Sequence, residues 1–510
     1  MKNTKMIRAV RLYREKLLND PYRPGYHFTV PDDDGRPGDP NGCFFANGRH
    51  HLMYLYRRDG AAFHWGHVSS ADLLHWRHHQ DSLVKGELDE GCFSGGAFVD
   101  DDGTAYISFW IFNRGEKTSG RDAGIGIAWS RPPYERWERF PEVSIPSTEW
   151  GILDMPQKDG AIARLGCADP SNIWKKDGMY YMQTGNLCVL NKYGRAEDSP
   201  VEMRGDWVEL FSSADLRTWS HEGRFYQRRV DNTHIDESED DMCPSFLPLP
   251  RSSKGGEPSE KYLQLFIAHN KGCQYYIGAY AENRFYPESH GRMSWVDNAF
   301  FAPEAYIDGH GRQIMFAWLL DNLHEDFDLF GWSGVFSLPR TLWLGEDNTL
   351  RIAPADEINE IRMGCQRFDQ LSAGDHLPLT RTDSCEINLI ASPGAAGRAG
   401  LVLAGPEEKQ ETKIYYNAES RQLVFDATRS GSPVRAVRES APLFLADGER
   451  LNLRIYVDKS VIEVFANERQ AICRRVYRKG GAAPKICVIC EKDTRIESVE
   501  AYEMMESMPY

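Results

Sequence analysis

The chain has 510 residues, of which 41% are hydrophobic and 26% are charged. This length allows two to four domains, and the composition is typical of a globular protein rather than a disordered, collagenous or membrane-embedded one. Lys and Arg total 60 against 75 for Asp and Glu, which gives a net charge of −15. Such a surface repels phosphate backbones, so we expect no nucleic-acid partner.

The N-terminal segment and the cysteines indicate the compartment. No run of 18 apolar residues occurs, the mean hydropathy is −0.53, and the first 20 residues carry Lys and Arg throughout. A signal peptide or a membrane span needs a longer apolar stretch, so we expect a cytoplasmic protein without a membrane partner. The 11 cysteines are dispersed and odd in number, which predicts reduced thiols. Cys487 and Cys490 form a CxxC without a second pair at zinc spacing, so we expect no metal site there.

After an N-terminal extension at 1–24, the region 25–345 alternates short strand-like runs with turn signals. Strands are predicted at 50–58, 104–112, 124–130, 179–185, 262–269, 275–282 and 313–320. Turn dipeptides precede several of them, including Asp102-Gly103 and Asp177-Gly178, as in hairpins of a meander. Helical periodicity is nearly absent. The pattern predicts an all-β domain of sandwich, barrel or propeller type.

Residues 346–364 are predicted as a linker with a short helix at 353–363, where Ile358 and Ile361 can share one face. Strand-like alternation resumes over 365–510, with the spacing of a β-sandwich domain. No repeat at the period of a propeller blade is visible, so the pattern alone does not give a blade count.

Acidic residues at strand entries suggest the chemistry. Asp39 lies in GDPNG, Asp169 lies in CADPSNIW, and the run ESEDDMCPSF contains Glu239 and Asp240 directly before an apolar strand. An Asx-turn explains each Asp-Pro step equally well, and charge runs are usually solvated. Two carboxylates that flank a glycosidic bond can serve as nucleophile and acid/base. Three acidic sites in one β domain, without a P-loop, dinucleotide fingerprint or nucleophile elbow, therefore favour glycoside chemistry.

The ordered motifs resemble glycoside hydrolase family 32, the invertase, inulinase and levanase family, over about residues 25–505. The motifs are GDPNGCFF, WGHVSSADLLHW, CFSGGAF, CADPSNIW, MCPSF, FFAPEAYIDGHGRQIMFAW, GWSGVFSLPRTLWL and LRIYVDKSVIEVFANERQ. The resemblance implies a five-bladed β-propeller catalytic domain followed by a C-terminal β-sandwich. It also implies a small oligosaccharide as substrate and no cofactor or metal, because two carboxylates and a water suffice.

Carried over by position, Asp39 is the nucleophile that forms a fructosyl-enzyme ester, and Asp169 binds sugar hydroxyls and stabilises the transition state. The reaction then retains the anomeric configuration. Substrate contacts are assigned to Asn41, Trp65, Phe93, Ser94, Glu304 and Trp332. For each Trp and for Glu304, a structural role is an equally good interpretation.

The chain departs from the family at its acid/base. Met242 stands where the family has the Glu of its Glu-Cys-Pro motif, and a thioether cannot transfer a proton. We expect the role to lie upstream, at Asp240 or Glu239. In an extended segment Asp240 points to the same side as Met242, although a bulge would reverse this.

Three further departures remove hydroxyl-binding groups. Ala168, Gly38 and Leu55 replace a family Arg, Asn and Gln. A buried hydroxyl without a partner costs about 1–3 kcal/mol, so the sugar specificity is expected to differ.

Three functions are compatible with these residues. The first is hydrolysis of β-fructofuranosidic bonds in short imported oligosaccharides. The second is a furanosidase or transferase that acts on a different furanoside or on a difructose anhydride. The third is a non-catalytic fructan-binding propeller. The oligomeric state is not readable from the sequence.

Overall fold

A computed structural model describes residues 2–30, 37–58, 62–86, 89–113, 123–226, 235–320, 332–431 and 436–508. The chain forms two compact units. The propeller unit comprises Asp34–Trp318 and Pro339–Arg351, and the sandwich unit comprises Met1–Asp33, Leu319–Leu338 and Ile352–Tyr510. Residues 1–24, predicted as an extension, are thus grouped with the sandwich. So are residues 25–33 and 319–338, which were predicted in the propeller domain.

Short strands, paired mostly antiparallel, make up the propeller unit. Its first strands are β1 (Pro40–Ala46), β2 (Arg49–Arg58), β3 (Ala62–Ser70), β4 (Trp76–His78), β5 (Gly91–Cys92), β6 (Ala97–Val99), β7 (Ala105–Phe112), β8 (Gly124–Ser130), β9 (Glu138–Arg139), β10 (Ile145–Pro146), β11 (Ile152–Pro156) and β12 (Ile162–Gly166). The next are β13 (Ala168–Pro170), β14 (Trp174–Lys176), β15 (Met179–Gly185), β16 (Glu209–Ser213), β17 (Ser220–Arg224), β18 (Met242–Pro250), β19 (Pro258–Ala268), β20 (Gly272–Ala281), β21 (Arg284–Arg292), β22 (Phe300–Ile307) and β23 (Gln313–Leu319).

The predicted hairpins are confirmed where the structure describes them. Strands β6 and β7 pair across Asp102-Gly103, and β14 and β15 pair across Asp177-Gly178. Gly103 and Gly178 have φ angles of 81° and 78°, a left-handed conformation that glycine adopts without steric cost.

The inner strands of the sheets close into a ring. Strand β1 contacts β6, which pairs with β7. Strand β13 contacts β7 on one side and β18 on the other. Strand β18 contacts β22, and β22 returns to β1. At one of these contacts the chains approach so closely that a Cβ on Gly96 would lie 2.3 Å from the backbone nitrogen of Asn172. Sheets arranged radially around a closed ring of strands form a β-propeller.

The sandwich unit begins with α1 (Lys2–Leu18). Three strands precede its two sheets in the chain: β24 (Val335–Phe336), β25 (Arg340–Leu344), which lies within the propeller unit, and β26 (Leu350–Pro354). The strands of the two sheets are β27 (Arg362–Asp369), β28 (Ser384–Ser392), β29 (Arg398–Ala404), β30 (Glu411–Asn417), β31 (Gln422–Arg429), β32 (Arg438–Pro442), β33 (Leu451–Asp458), β34 (Val461–Ala466), β35 (Gln470–Arg475), β36 (Lys485–Glu491) and β37 (Arg495–Met504). Its two sheets have the strand orders β27-β37-β28-β33-β34-β35 and β32-β31-β30-β29-β36.

Helical turns are short outside α1. They are α2 (Leu187–Val189), a π-helical turn at Leu190–Gly194, and 3₁₀ turns at Val201–Met203, Asp356–Ile361 and Lys479–Gly481. The helix predicted at 353–363 is therefore a 3₁₀ turn, and Ile358 and Ile361 are both buried as its pattern required. Of the helices within the described residues, none has both the length and the apolar character needed to cross a bilayer.

A buried carboxylate anchors the start of the sandwich unit. Asp458 accepts hydrogen bonds from the backbone N–H groups of Gly25, Tyr26 and His27 at 2.7–2.9 Å. The Nδ1 of His27 lies 2.9 Å from the same carboxylate. Burial would raise the pKa of Asp458, but these bonds and the charge of His27 outweigh it and hold that pKa below its ordinary value.

Candidate active site

Backbone bulges mark the inner strands from which the site is built. The register of β13 shifts between Ala168 and Pro170, and that of β18 shifts between Met242 and Ser245. Within these bulges Asp169 and Cys243 have positive φ angles of 30° and 48°. Such φ values are strained for residues with a side chain and cluster at functional sites.

Residues from separate inner strands converge at one point. The Sγ of Cys243 in β18 lies 3.4 Å from Oδ2 of Asp169 in β13 and 3.9 Å from Oδ2 of Asp39, which directly precedes β1. Ser94, just before β6, donates its hydroxyl to Oδ2 of Asp39 at 2.5 Å. The structure thus brings together Asp39, Asp169 and Ser94, three of the residues singled out in the sequence. It adds Cys243, whose only signal was its place in MCPSF.

The two aspartates form an electrostatically coupled pair. Burial raises the pKa of Asp39, while the Ser94 hydrogen bond and the charge of His269 oppose this rise. Burial and the charge of Asp39 raise the pKa of Asp169 to about 7, again against the charge of His269. The charge of one carboxylate disfavours ionisation of the other, so the two groups titrate as a coupled pair.

Met242 fills the family's acid/base position with an apolar side chain. It is 1% exposed. Its sulfur packs on Gly185, where an added Cβ would lie 2.5 Å from the Sδ. The position therefore offers no proton to the Asp39–Asp169 pair.

The three carboxylates directly before β18, Glu239, Asp240 and Asp241, are buried and hydrogen-bonded. Glu239 accepts two bonds from Arg292 at 2.6 and 2.9 Å. Asp241 accepts the Tyr226 hydroxyl at 2.7 Å. Asp240 is bound by His269, and all three carboxylates are at most 1% exposed. This part of the acidic run is not solvated, and neither Glu239 nor Asp240 presents an unpaired carboxyl.

The pairing of two strands explains why Asp240 meets His269. Met242, the first residue of β18, pairs with Ile267, near the end of β19. Asp240 lies two residues before Met242 and His269 lies in the turn directly after β19, so the two residues come together at the same end of the strand pair. The Asp240 carboxylate accepts the backbone N–H of His269 at 3.0 Å and lies 2.7 Å from its Nδ1. The side chain of His269 is 44% exposed. The sequence reasoning missed His269, although a polar residue closing the apolar run YLQLFIAH was a usable signal.

An aromatic wall continues from His269. The Phe301 ring lies 5.7 Å from the His269 ring, and the Trp318 ring lies 6.2 Å from that of Phe301. Trp318 is half-buried, and a Cβ added to Gly38 would lie 3.5 Å from its indole. Gly38, which stands where the family has an Asn and directly precedes Asp39, therefore lies next to an aromatic surface. Ala168 and Leu55, which replace the other two polar groups, are buried.

The predicted sugar-binding residues have different environments. Asn41 is buried, its Oδ1 accepts the backbone N–H of Gly95 at 3.3 Å, and its Nδ2 has no hydrogen-bond partner among the described residues. Phe93 is half-buried. Glu304 accepts the backbone N–H of Cys43 at 3.4 Å. Burial raises the pKa of Glu304 well above its ordinary value, which favours the neutral form of this side chain.

The two tryptophans predicted as sugar contacts are core residues in the structure. Trp65 is 0% exposed and donates its indole N–H to the Phe93 carbonyl at 3.1 Å. Trp332 is 2% exposed, lies in the sandwich unit, and donates to Asp20 at 2.6 Å. Neither indole has an open face on which a sugar could stack, which favours the packing role that the sequence left open.

Comparisons with known proteins agree with this architecture. The model of the glycosyl hydrolases family 32 N-terminal domain matches residues 27–354, and that of the family 32 C-terminal domain matches residues 357–503. A sucrose-6-phosphate hydrolase of Zymomonas mobilis is 27% identical and covers 97% of this chain and 92% of that protein. A levanase of Bacillus subtilis is 27% identical over 89% of this chain and 66% of the levanase. The crystal structure of fructan 1-exohydrolase IIa from Cichorium intybus superposes with a TM-score of 0.78, at 22% identity, over 96% of this chain and 98% of that one.

Proposed function

Because the chain belongs to glycosyl hydrolase family 32, we propose that it hydrolyses β-fructofuranosidic bonds in fructose-containing oligosaccharides with retention of configuration. The observation that supports this most directly is the Asp39–Asp169 pair, which Ser94 and Cys243 hold where the inner strands meet. We further infer five blades, one on each of the inner strands β1, β6, β13, β18 and β22.

Asp39 is the nucleophile in this proposal. Its carboxylate attacks the anomeric carbon C2 of the fructosyl unit and forms an ester, which water then cleaves from the same face, so configuration is retained. The Ser94 hydroxyl orients one carboxylate oxygen. Asp169 accepts sugar hydroxyls and stabilises the positive charge that develops on the ring.

The proton for the leaving oxygen comes from the pair formed by Asp240 and His269. Of the two carboxylates that the sequence favoured, Glu239 is ion-paired with Arg292, whereas Asp240 is linked to a half-exposed imidazole. The charge of that imidazole shifts the pKa values of both Asp39 and Asp169, which places it in their electrostatic field.

The substrate pocket is less polar than the family pattern implies. Gly38 beside Trp318 offers aromatic surface, and Ala168 and Leu55 offer no hydrogen bonds. We expect short fructosides in which ring faces contact Trp318, and weaker binding of substrates that depend on the missing polar groups. The cytoplasmic location expected from the N-terminal residues stays a prediction.

Proton NMR of the purified protein with sucrose, 1-kestose, levanbiose and difructose anhydrides tests the proposal. We expect the β-anomer of fructose to appear first from at least one fructoside, and its release to stop in Asp39→Ala. Initial release of the α-anomer would contradict retention, and products of transfer or opening of an anhydride would support the alternative enzyme.

The loss of the family Glu at Met242 favours one second candidate, a propeller that binds fructosides without cleaving them. Calorimetry with the same sugars separates the two functions. Binding with micromolar to millimolar affinity, together with no turnover after long incubation, would support the binding protein over the hydrolase.

A further inference from the structure

We propose that Nε2 of His269 is the atom that transfers the proton to and from the leaving oxygen, with Asp240 as the residue that positions the imidazole. This inference rests on the proposed function, because it assigns the acid/base of that same reaction. It replaces the carboxylic acid of the family with an imidazolium and its buried carboxylate partner.

The environment of the neighbouring carboxyl groups excludes them as donors. Glu239 is 1% exposed and ion-paired with Arg292. Asp240 is fully buried, and its two oxygens are taken by the N–H and the ring of His269. Glu304 is 4% exposed and its carboxyl faces the backbone of Cys43. A proton donor must reach the leaving oxygen directly or through one water, and these carboxyl groups are enclosed by protein.

Cys243 touches both aspartates, but its thiol is too weak an acid. Burial and the charges of Asp169 and Asp39 raise its pKa well above the ordinary value. Its role is therefore to pack against the pair, with Sγ as a weak donor to each carboxylate.

His269 has the location that the reaction requires. It lies in the turn directly after β19, two residues beyond Ile267, the partner of Met242. Its hydrogen bonds to Asp240, two residues before Met242, hold it near the position of the lost acid. The ring is half-exposed and flanked by Phe301 on the wall that continues to Trp318.

The two ring nitrogens have different tasks. Nδ1 lies 2.7 Å from Asp240, so it carries a proton and donates to that carboxylate. Nε2 makes no hydrogen bond to the described residues. A histidine fixed through one nitrogen presents the other in a defined direction and tautomer, as in other carboxylate–histidine pairs.

One proton leaves Nε2 of His269 in the first half-reaction, and one returns to it in the second. In the first half-reaction Asp39 forms its bond to C2, the C2–O bond to the leaving group breaks, and the Nε2 proton moves to the departing oxygen. In the second half-reaction neutral Nε2 takes a proton from water, the water oxygen bonds to C2, and the ester bond to Asp39 breaks. The imidazolium and the Asp39 carboxylate are then restored.

The charges around the His269 ring favour its protonated form. Burial lowers the pKa of His269, but the hydrogen bond and charge of Asp240, with the charges of Asp169 and Asp39, outweigh this and raise it. Because the acid form is required for the first half-reaction, kcat/KM falls as the pH rises through this pKa.

The test compares two leaving groups in His269→Ala. Hydrolysis of 1-kestose, or of the fructoside that the wild type cleaves best, needs a proton on the leaving oxygen. β-Fructofuranosyl fluoride needs little assistance, because fluoride is a good leaving group. We expect kcat/KM to fall about 10²–10⁴-fold for the fructoside and less than about 10-fold for the fluoride. Azide is expected to raise kcat of the variant and to yield β-fructosyl azide, because it attacks the ester without a general base.

His75→Ala is the matched control. His75 is also half-exposed, and its Nδ1 lies 2.8 Å from Asp72, but it lies in the turn after β3 and does not figure among the charges that shift the pKa of Asp39 or Asp169. We expect its kinetics to match the wild type with both substrates. Asp240→Asn provides the second readout, because it lowers the pKa of His269 and moves the alkaline limb of kcat/KM to lower pH.

Equal losses with both substrates and no azide product would overturn the inference, and so would unchanged fructoside hydrolysis in His269→Ala. Failure of the proposed function is distinguishable, since the wild type would then release neither fructose nor fluoride. Circular dichroism and the melting temperature of each variant check that it is folded.

Discussion

Asp458 of the sandwich unit and Asp169 of the propeller unit are both buried carboxylates, yet their pKa values are shifted in opposite directions. Asp458 is surrounded by N–H donors from Gly25, Tyr26 and His27, and its pKa is lowered. Asp169 has Cys243 as its close contact and a second carboxylate beside it, and its pKa is raised to about 7. Burial alone therefore does not determine the direction in which the pKa of a carboxyl group shifts, because hydrogen-bond donors and neighbouring charges also contribute.

This difference separates a structural carboxylate from a functional one. Asp458 stabilises the fold because its charge is fully compensated by donors. Asp39 and Asp169 are left with few donors, so their charges cost stability and remain available to a substrate. Variants in the two regions should then affect different measurements.

Asp39→Asn should have the largest effect, and it should be on activity. We expect kcat/KM for the best fructoside to fall by about 10⁴-fold or more, because the nucleophile is removed. The melting temperature should stay equal to or above that of the wild type, since a buried, poorly compensated charge is removed. A marked loss of stability would show instead that Asp39 is a structural carboxylate like Asp458.

Asp458→Ala should have the opposite profile. Leaving His27 and three backbone N–H groups without their acceptor should destabilise the sandwich unit by about 3–5 kcal/mol, measured by urea unfolding followed by circular dichroism. Asp458→Asn keeps the shape of the side chain and should lose less. Unfolding midpoints equal to the wild type would mean that these bonds contribute no net stability.

The pH dependence of that stability has a defined sign. The pKa of Asp458 is lowered by folding, so its contribution is present above the ordinary value of 3.8 and is lost as the pH falls through the native pKa. The pKa of His27 is raised, so its contribution is complete below 6.5 and is lost as the pH rises through the native pKa. Asp458→Ala should remove the acid limb and reduce the alkaline one, because Glu463 also raises the pKa of His27.

Asp169→Asn should reduce kcat/KM by about 10²–10³-fold, less than Asp39→Asn, because the amide keeps the shape but not the charge that stabilises the transition state. The wild type should show an acid limb with an apparent pKa near 7 in kcat/KM, a property of the coupled pair, and the variant should lack it. Persistence of that limb would assign the titration to another group.

Glu304→Gln should have the smallest effect, and that effect should be on the pH dependence of the melting temperature. Burial raises the pKa of Glu304, so the stability contributed by the neutral acid declines as the pH rises from 4.5 towards its native pKa. Gln does not ionise, so the variant should melt a few degrees higher than the wild type at alkaline pH and similarly near pH 5, as measured by calorimetry. An identical difference at both pH values would show that the carboxyl does not titrate in the native state.

The sequence predicted the local elements well because the signals are local. Asp-Gly turns and alternating apolar residues specify hairpins within a few residues, and the Asp-Pro motifs located Asp39 and Asp169. For Trp65 and Trp332 the sequence left both roles open, because a tryptophan suits a core and a sugar site equally well, and the structure buries both. Sequence patterns also did not reveal that Phe301, Trp318 and His269 belong to the same site as Asp39 and Asp169.

The sequence alone indicates the all-β class, the two strand-rich regions, the two aspartates of the Asp-Pro motifs and the loss of the family's Glu at Met242. Only the tertiary structure decided that Asp240 binds His269 and that Glu239 binds Arg292. The physical reason is that a side chain's partner depends on strand register and on closure of the ring. Both bring together residues that are distant in the chain, and no short sequence pattern specifies them.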